Sequence, residues 1–463
     1  MAVVEPQLRD GQIAARIDRL PLTNIQWRLS FITQLLWGVV ISLDGMEQVL
    51  YPFVWAPKHY FSPLQYSLLV GFQVGGGVLI GEYLLGFVAD RYGRKKVMIA
   101  SCLIVSLLFW PTAFLTNWWL LMLFFTAGSL GIGGVLATNV VYMAEMAPPQ
   151  VRGRVMQGTQ VLAGFLVVLL AVVPALFLIP THYKAYVFLL CAIPVVVVLP
   201  FLIFGLPESP RWLEARGRRV EAERILSDIE AKIVRKHGAL PPIDLNRHQV
   251  LVTEKVPTRE IFTGRYRGQT ILLLICWVLG YAGVDYGVSS YSTVYLVANG
   301  MSAHEVFLAA AISGFAGAIL APLIGSILGE RVERKTLVLF SGIICALGAL
   351  GYFFFPKSFM MIAIAGALLI AARMAWVFNM YNYTAAAYPT RLRSVGTGWT
   401  DGVGHIGAVF GPVVAGVFYA STASTNHIGW FVWCVIPGSL LPSFLVYKWG
   451  MRQREAVLEE VAP

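Results

Sequence analysis

Six ionisable side chains stand inside stretches that are otherwise apolar: Asp44, Glu47, Asp285, Arg373, Asp401 and His405. A charge at the centre of a membrane-spanning helix costs about 2.5–3.5 kcal/mol on insertion scales, so each needs a reason to be there. Asp44 and Glu47 are three residues apart and share one helix face. Two carboxylates that close in a low dielectric resist joint ionisation, and a carboxyl group that can be neutral near pH 7 is what carrying a proton requires. The bland alternative is a solvated acid pair at the outer mouth. The six residues Gln48–Phe53 that precede the gap favour the proton role.

Arg373 lies in Ala-Leu-Leu-Ile-Ala-Ala-Arg-Met-Ala-Trp-Val-Phe. Its planar fork matches a carboxylate through two parallel hydrogen bonds. It either anchors an anionic substrate or holds a permanent salt bridge to Asp44 or Asp401, and the sequence leaves both open. Asp401 and His405, at i and i+4, either relay protons and orient a ligand or make a structural contact between helices. Asp285 sits in a polar patch with Tyr281, Tyr286, Ser289, Ser290 and Tyr291. Tyr286 is assigned to a cavity, whereas Tyr291 and Tyr295 are assigned to the outer aromatic belt. Trp376 and Phe378 are candidates to hold a ring, and Gln73, Asn379 and Asn382 to bond a ligand with their amides. Glu82 is expected to pair with basic residues near a cytoplasmic helix end.

These residues need long helices to position them. Hydrophobic residues make up 57% of the 463-residue chain and charged ones 13%, a membrane composition. About 20 apolar residues at 1.5 Å rise cross the hydrocarbon core. Twelve stretches qualify, near 29–53, 65–88, 97–115, 118–144, 157–180, 185–205, 269–296, 304–328, 336–355, 359–384, 395–420 and 428–447. Basic residues crowd the first 28 positions, every second gap and the tail, while the other gaps hold only Lys58, Lys184 and Lys357. By the positive-inside rule both termini and the central loop are cytoplasmic. The formal net charge of +10 then reflects topology and attraction to anionic lipid, with no nucleic acid implied.

The resulting organisation is a cytoplasmic arm (1–28), a six-helix bundle (29–205), a cytoplasmic central loop (206–268), a second six-helix bundle (269–447) and a cytoplasmic tail (448–463). Residues 217–236 form an amphipathic surface helix suited to headgroups and the undersides of the bundles. The pairs Gly71/Gly75 and Gly77/Gly81 mark close helix packing.

The five cysteines all fall inside predicted spans, and none has metal-ligand or disulfide spacing. No stretch near the start has the form of a cleaved signal. No phosphate-cradling loop or nucleophile–base set appears, so enzyme activity and ATP-driven pumping are not expected. No cofactor or metal is expected, protons being the coupling ion. The expected partners are a small organic anion and membrane lipid, and a monomer is expected.

Each half repeats a short polar loop after its second span. Asp90-Arg91-Tyr-Gly93-Arg94-Lys95 is matched by Glu330-Arg331-Val-Glu333-Arg334-Lys335. After the fourth span Glu145-Met-Ala-Pro148-Pro149-Gln-Val-Arg152-Gly153-Arg154 is matched by Ala386-Ala-Tyr-Pro389-Thr390-Arg391-Leu-Arg393-Ser394. Two related six-helix halves are the architecture that rocks about a central site. The acids and bases are expected to form a cytoplasmic gate, with Arg91 and Arg94 pairing across the bundle interface. Glu208 and Arg211 belong to the same gate.

The loop Gly-x-x-x-Asp-Arg-x-Gly-Arg-Lys at 86–95, Pro148-x-x-x-Arg152-Gly153, Pro207-Glu-Ser-Pro-Arg-Trp-Leu213 and Tyr388-Pro-Thr-Arg391 together resemble the major facilitator superfamily over essentially the whole chain. Asp44-Gly45-Met46-Glu47 is similar to the Asp-Gly-x-Asp signature of its aromatic acid:proton symporters and nicotinate-transporter relatives, with Glu in the fourth place. The resemblance implies an all-α fold of twelve transmembrane helices in two pseudo-symmetric bundles. Two features depart from it. The arginine usual at the start of the fourth-span glycine pattern is absent from Phe125–Gly134, and Ala386 replaces the usual acid. The function expected is proton-coupled uptake of a small, aromatic carboxylate across the plasma membrane. Asp44, Glu47, Asp401 and His405 would handle protons, and Arg373, Asp285, Tyr286, Trp376, Phe378, Asn379, Asn382 and Gln73 the substrate. A sugar or polyol porter, which would want more amides, and a sensor that has lost flux are the alternatives.

Overall fold

A computed structural model describes residues 12–148, 162–243, 258–264, 266–328, 332–388, 390–421 and 427–451. Among them no strand occurs. We number the helices α1 (Gln12–Asp18), α2 (Asn24–Trp55), α3 (Pro63–Tyr92), α4 (Arg94–Ala113), α5 (Trp118–Met146), α6 (Leu162–Leu178), α7 (Tyr183–Gly205), α8 (Pro210–Ala215), α9 (Arg219–His237), α10 (Tyr266–Ala298), α11 (Ala303–Leu328), α12 (Arg334–Phe354), α13 (Phe359–Ala386), α14 (Thr390–Ser421) and α15 (Ile428–Trp449). Eleven of them are long and apolar enough to cross a bilayer, and α6 is the described part of the fifth expected span.

The helices start where side chains satisfy their free N–H groups. Thr23 and Gln26 form a reciprocal cap on α2, and Ser62 and Gln65 form another on α3, where Pro63 occupies the first turn. Asn117 and Ser358 cap α5 and α13. The tight turn from α3 to α4 rests on Gly93, whose φ of +116° disfavours any side chain.

Within the first half α5 packs against α3 and α4, and within the second α13 packs against α11 and α12. The halves meet where α3 lies on α14 and where α6 lies on α11. These are the second and eleventh, and the fifth and eighth, spans. Exchanging the halves turns one pair into the other, which is the signature of the pseudo-two-fold. Glycines set the approach. A Cβ on Gly75 would lie 2.4 Å from a Val409 methyl, and one on Gly81 would lie 2.3 Å from the Leu130 carbonyl oxygen. Gly71 and Gly75 thus serve the joint between halves, while Gly77 and Gly81 serve the α3–α5 contact.

Helices α1, α8 and α9 cover one end of the bundle, termed the arm side. Ala222, Leu226, Ile229 and Ile233 form the buried stripe of α9 and join the core with Ile13, Ile17 and Leu20 of the arm. Arg16 pairs with Glu223 and Glu230, each at 2.5 Å, Arg19 with Glu230 at 2.7 Å, and Arg211 with Asp18. Burial alone would raise the Glu230 carboxyl, but its bonds to Arg16 and Arg19 outweigh that and hold it below the ordinary carboxylate range. The four cysteines whose side chains are described are free and buried.

The gate loop is built differently from the sequence expectation. Arg94 pairs with Asp90 at 2.6 Å and Glu145 at 3.0 Å, both in its own half, so it does not bridge the bundles. Glu208 accepts the N–H groups of Arg94 (3.0 Å) and Lys95 (3.2 Å) and so caps α4. Arg211 donates to the Glu145 carbonyl oxygen at 2.9 Å, and Trp212 to that of Asp90 at 2.7 Å. The Pro207–Leu213 element is therefore a lock under the first half. Arg91 is exposed and lies over the Tyr92 ring. Arg334 opens α12. Arg152, Glu330, Arg331 and the side chain of Arg393 lie outside the described residues.

Candidate functional site

The intramembrane charges converge on Tyr286 of α10. Asp44 from α2, Asp285 from α10, Arg373 from α13 and Asp401 from α14 all act electrostatically on its hydroxyl. Both halves therefore contribute to one polar centre. Acid and guanidinium meet there directly: Arg373 Nη1 lies 3.3 Å from Asp285 Oδ1 and 3.4 Å from its carbonyl oxygen. The sequence alternatives of Asp44 or Asp401 as the partner of Arg373 are not the arrangement found. Both contacts run through Nη1, and the Arg373 side chain keeps 30% exposure against 12% for Asp285. Nε and Nη2 make no hydrogen bond to the described residues.

On α14 the Asp401 carboxylate accepts from Tyr281 at 2.7 Å and from Tyr381 at 3.1 Å. His405 does not bond that carboxylate. Its Nδ1 lies 3.1 Å from the Asp401 carbonyl oxygen, and since a carbonyl only accepts, Nδ1 carries the proton. The imidazole lies against the Tyr281 ring at 4.5 Å. Glu82 of α3 belongs here as well. It lies within electrostatic reach of His405 and Asp401, and its Oε2 is buried with no hydrogen-bond partner. Among the described residues Glu82 makes no ion pair with a gate base, in contrast to the expectation, and the charged side chains that act on it are on α14.

Asp44 reaches the centre, being within range of His405 as well as Tyr286. Gln73 of α3 donates its amide to the Asp44 carbonyl oxygen at 2.8 Å and to Oδ1 at 3.1 Å. Glu47 turns the other way, into the first half, and is 1% exposed. Three other candidates also face away from the centre. Trp376 is 3% exposed and donates to Ser443 of α15 at 2.8 Å. Asn379 donates to Ser341 of α12 at 3.1 Å. Asn382 is exposed near the arm-side end of α13. Phe378 is half-buried on the same helix. The two tyrosines assigned to the aromatic belt are fully buried: Tyr291 meets Ser67 of α3 at 2.5 Å, and Tyr295 donates to the Phe353 carbonyl oxygen at 2.7 Å.

The two halves are tied at the end remote from the arm. Tyr66 donates to the Ser290 carbonyl oxygen at 2.9 Å, Tyr291 to that of Pro63 at 2.8 Å, and Phe53 packs on Phe307. A groove of about 550 Å³ beside α10 and α15 is lined by Leu272, Ile275, Leu445 and Trp449 and holds no titratable side chain, so the chemistry lies elsewhere.

The sequence matches the family model described as Major Facilitator Superfamily over residues 36–412 and again over 295–455. It is 31% identical to the niacin transporter NiaP of Acinetobacter baylyi, covering 87% of this chain and 89% of that one. It is 26% identical to the 4-hydroxybenzoate transporter PcaK of Pseudomonas aeruginosa, with 95% of each chain covered, and 26% identical to a gallate transporter of Pseudomonas putida, with 86% and 87% covered. The fold is similar to the inward open conformation of the xylose transporter XylE from Escherichia coli, at a TM-score of 0.69, 17% identity and coverage of 94% and 97%. Twelve-helix architecture, paired halves and a charged centre between them agree with these matches: the chain is an integral membrane transporter and belongs to the Major Facilitator Superfamily.

Proposed function

We propose that the protein is a proton-coupled symporter that takes up a small aromatic carboxylate by alternating access. The carrying observation is Arg373, a mid-membrane guanidinium held by Asp285 through one nitrogen, its other nitrogens without a hydrogen bond to the described residues, beside a centre to which both halves contribute. A fork so placed suits a carboxylate better than a neutral polyol. Niacin, 4-hydroxybenzoate and gallate, named for the relatives, each join a carboxylate to an aromatic ring. Tyr286, half-buried at that centre, supplies a face for such a ring.

Asp44 is the proton site in this scheme, with Asp401, His405 and Glu82 as further titratable groups across the joint. A proton on Asp44 removes a negative charge that would otherwise repel the incoming anion, so uptake follows an inward proton gradient. Opening toward the far side requires the Tyr66–Ser290 and Tyr291–Pro63 bonds to break, and the arm-side lock on the first half keeps that half rigid while it rocks. The arm side, with the 206–268 segment and both termini, faces the cytoplasm, the membrane is the plasma membrane, and the carrier works as a monomer without a cofactor.

Purified protein in liposomes tests this. An imposed inward proton gradient is expected to accumulate nicotinate or benzoate above equilibrium. Accumulation that persists after an ionophore collapses the gradient would sink proton coupling.

A further inference from the structure

The groove beside α10 and α15 holds no titratable side chain, yet cations stand at its mouth. On α10 its lining runs from Gly268 to Ile275, seven steps of 1.5 Å, or about 10 Å. Leu273, Cys276 and Trp277 of the same helix are fully buried in the second half. Ile271 and Ile275, four residues apart, are 42% and 46% exposed, so the groove opens outward, onto the face that meets the bilayer. Its other wall is Leu445 and Trp449 of α15, with Met451 just beyond the helix.

Position along the helices sets the depth. Both the start of α10 and the end of α15 lie at the arm side. The groove therefore begins at the membrane interface and rises through roughly two thirds of one leaflet of a ~30 Å hydrocarbon core. Trp449, 61% exposed, and Tyr447 mark the interface as an aromatic belt does. The Lys448 ammonium sits 5.1 Å from the Trp449 ring centroid and 5.8 Å from that of Phe444. Arg267 is exposed one turn before Ile271 on α10. Among the described residues neither cation forms an ion pair. Lys335 is instead buried against the end of α15, 3.5 Å from the Gly450 carbonyl oxygen. The pseudo-two-fold counterpart, where α2 meets α7, is packed. A Cβ on Gly205 would lie 2.8 Å from an Ile32 methyl, and Arg28 donates to the Gly205 carbonyl oxygen at 3.3 Å. On α10, by contrast, a Cβ at Gly268 would meet nothing within 4 Å.

We infer that this groove binds an anionic phospholipid, with an acyl chain along Ile271, Ile275 and Leu445 and the phosphate diester at the mouth beside Lys448 and Arg267. Long basic side chains at an interface keep their charged ends at headgroup level, where a lipid phosphate is found. A zwitterionic headgroup brings its own cation against these two and gains less. A water-soluble anion would leave the apolar wall uncovered. A peptide would put backbone N–H and C=O groups at hydrocarbon depth, against walls that offer them few partners. The site lies apart from the charged centre and from whatever that centre carries.

Full-length protein in liposomes tests this with photoactivatable phosphatidylglycerol and phosphatidylcholine of identical acyl chains, the reactive group being on the chain. Peptides holding residues 268–275 and 445–451 are expected to take the phosphatidylglycerol label in preference by roughly 30-fold, about fivefold for each base near the surface. Lys448→Gln and Arg267→Gln should each leave a preference of about fivefold. Gly268→Leu, which fills the groove where no atom stands in the way, should reduce labelling of these peptides by both lipids. Equal labelling by the two lipids in the unmutated protein would overturn the proposal without recourse to any variant. So would a groove that takes no label because residues 452–463 or a second copy of the chain covers it, and so would a preference that ignores all three substitutions.

Discussion

Replacing Arg373 by lysine keeps the positive charge and removes the fork. In the structure Nη1 is engaged by Asp285 through a 3.3 Å ion pair and a 3.4 Å contact to its carbonyl oxygen, while Nε and Nη2 make no hydrogen bond to the described residues; in the proposed scheme they serve the ligand. A lysine ammonium sits at a single point, so serving Asp285 draws it away from the substrate. Losing one charge-assisted hydrogen bond costs ~1.5–3 kcal/mol, which at about 1.4 kcal/mol per tenfold is roughly a 10- to 100-fold rise in the Kd of a carboxylate. A neutral analogue such as nicotinamide bonds more weakly and stands to lose only ~0.5–1.5 kcal/mol, about tenfold at most. Equilibrium binding of nicotinate and nicotinamide to the purified variant, checked by ligand-induced thermal stabilisation, gives both numbers. Equal losses for acid and amide would refute the anchor. Arg373 would then be a structural partner of Asp285 and nothing more.

Asp44→Asn should abolish gradient-driven accumulation yet retain exchange of labelled for unlabelled substrate across the membrane; wild-type pH dependence in this variant would move the coupling site elsewhere. Glu82→Gln should alter the pH profile of uptake with little change in substrate Kd, because Glu82 faces Asp401 and His405 across the joint without touching the Arg373 fork; an unaltered profile excludes it. Gly93→Ala puts a Cβ 2.2 Å from Glu208 Oε2 at a φ of +116°. Strain of ~1–3 kcal/mol should lower the melting temperature, and an unchanged value would show that the Glu208 cap is dispensable. The arm should detach in acid. Glu230 is held below its ordinary carboxylate value of 4.5, so its ion pairs contribute fully above that value and are lost as pH falls through the depressed one. Hydrogen exchange of residues 12–20 should rise in that window, and Arg16→Ala should raise it already at neutral pH.

Much of this was legible because the bilayer imposes strong rules. Apolar length placed the helices, and the paired loops at Asp90–Lys95 and Glu330–Lys335 exposed the two halves before any coordinates. The ionisable residues worth attention were conspicuous for the same reason, since lipid penalises every one of them. Which face each of them takes was not legible. A three-residue spacing says that Asp44 and Glu47 share a side of α2, but Gly45 breaks the helix between them. One then reaches the centre and the other the interior of the first half. The short sequence distance from Glu82 to the basic loop suggests a gate partner, whereas in the fold it lies within electrostatic reach of Asp401 and His405 of α14. Arg94 was expected to bridge the halves, yet Asp90 four residues earlier and Glu145 on α5 are nearer acids.

Sequence alone determined the span pattern, the internal repeat and the family, because these follow from local composition and periodicity that no packing can undo. Partner choice was decided only by tertiary structure. Whether Arg373 meets Asp285, Asp44 or Asp401 depends on crossing points between helices set by glycines such as Gly75 and by the caps that fix where each helix begins. A rotation of one residue, about 100° for an α-helix of 3.6 residues per turn, carries a side chain from the shared centre to the interior of one half. That geometry is the sum of many contacts distant in the chain, and no short stretch of residues encodes it.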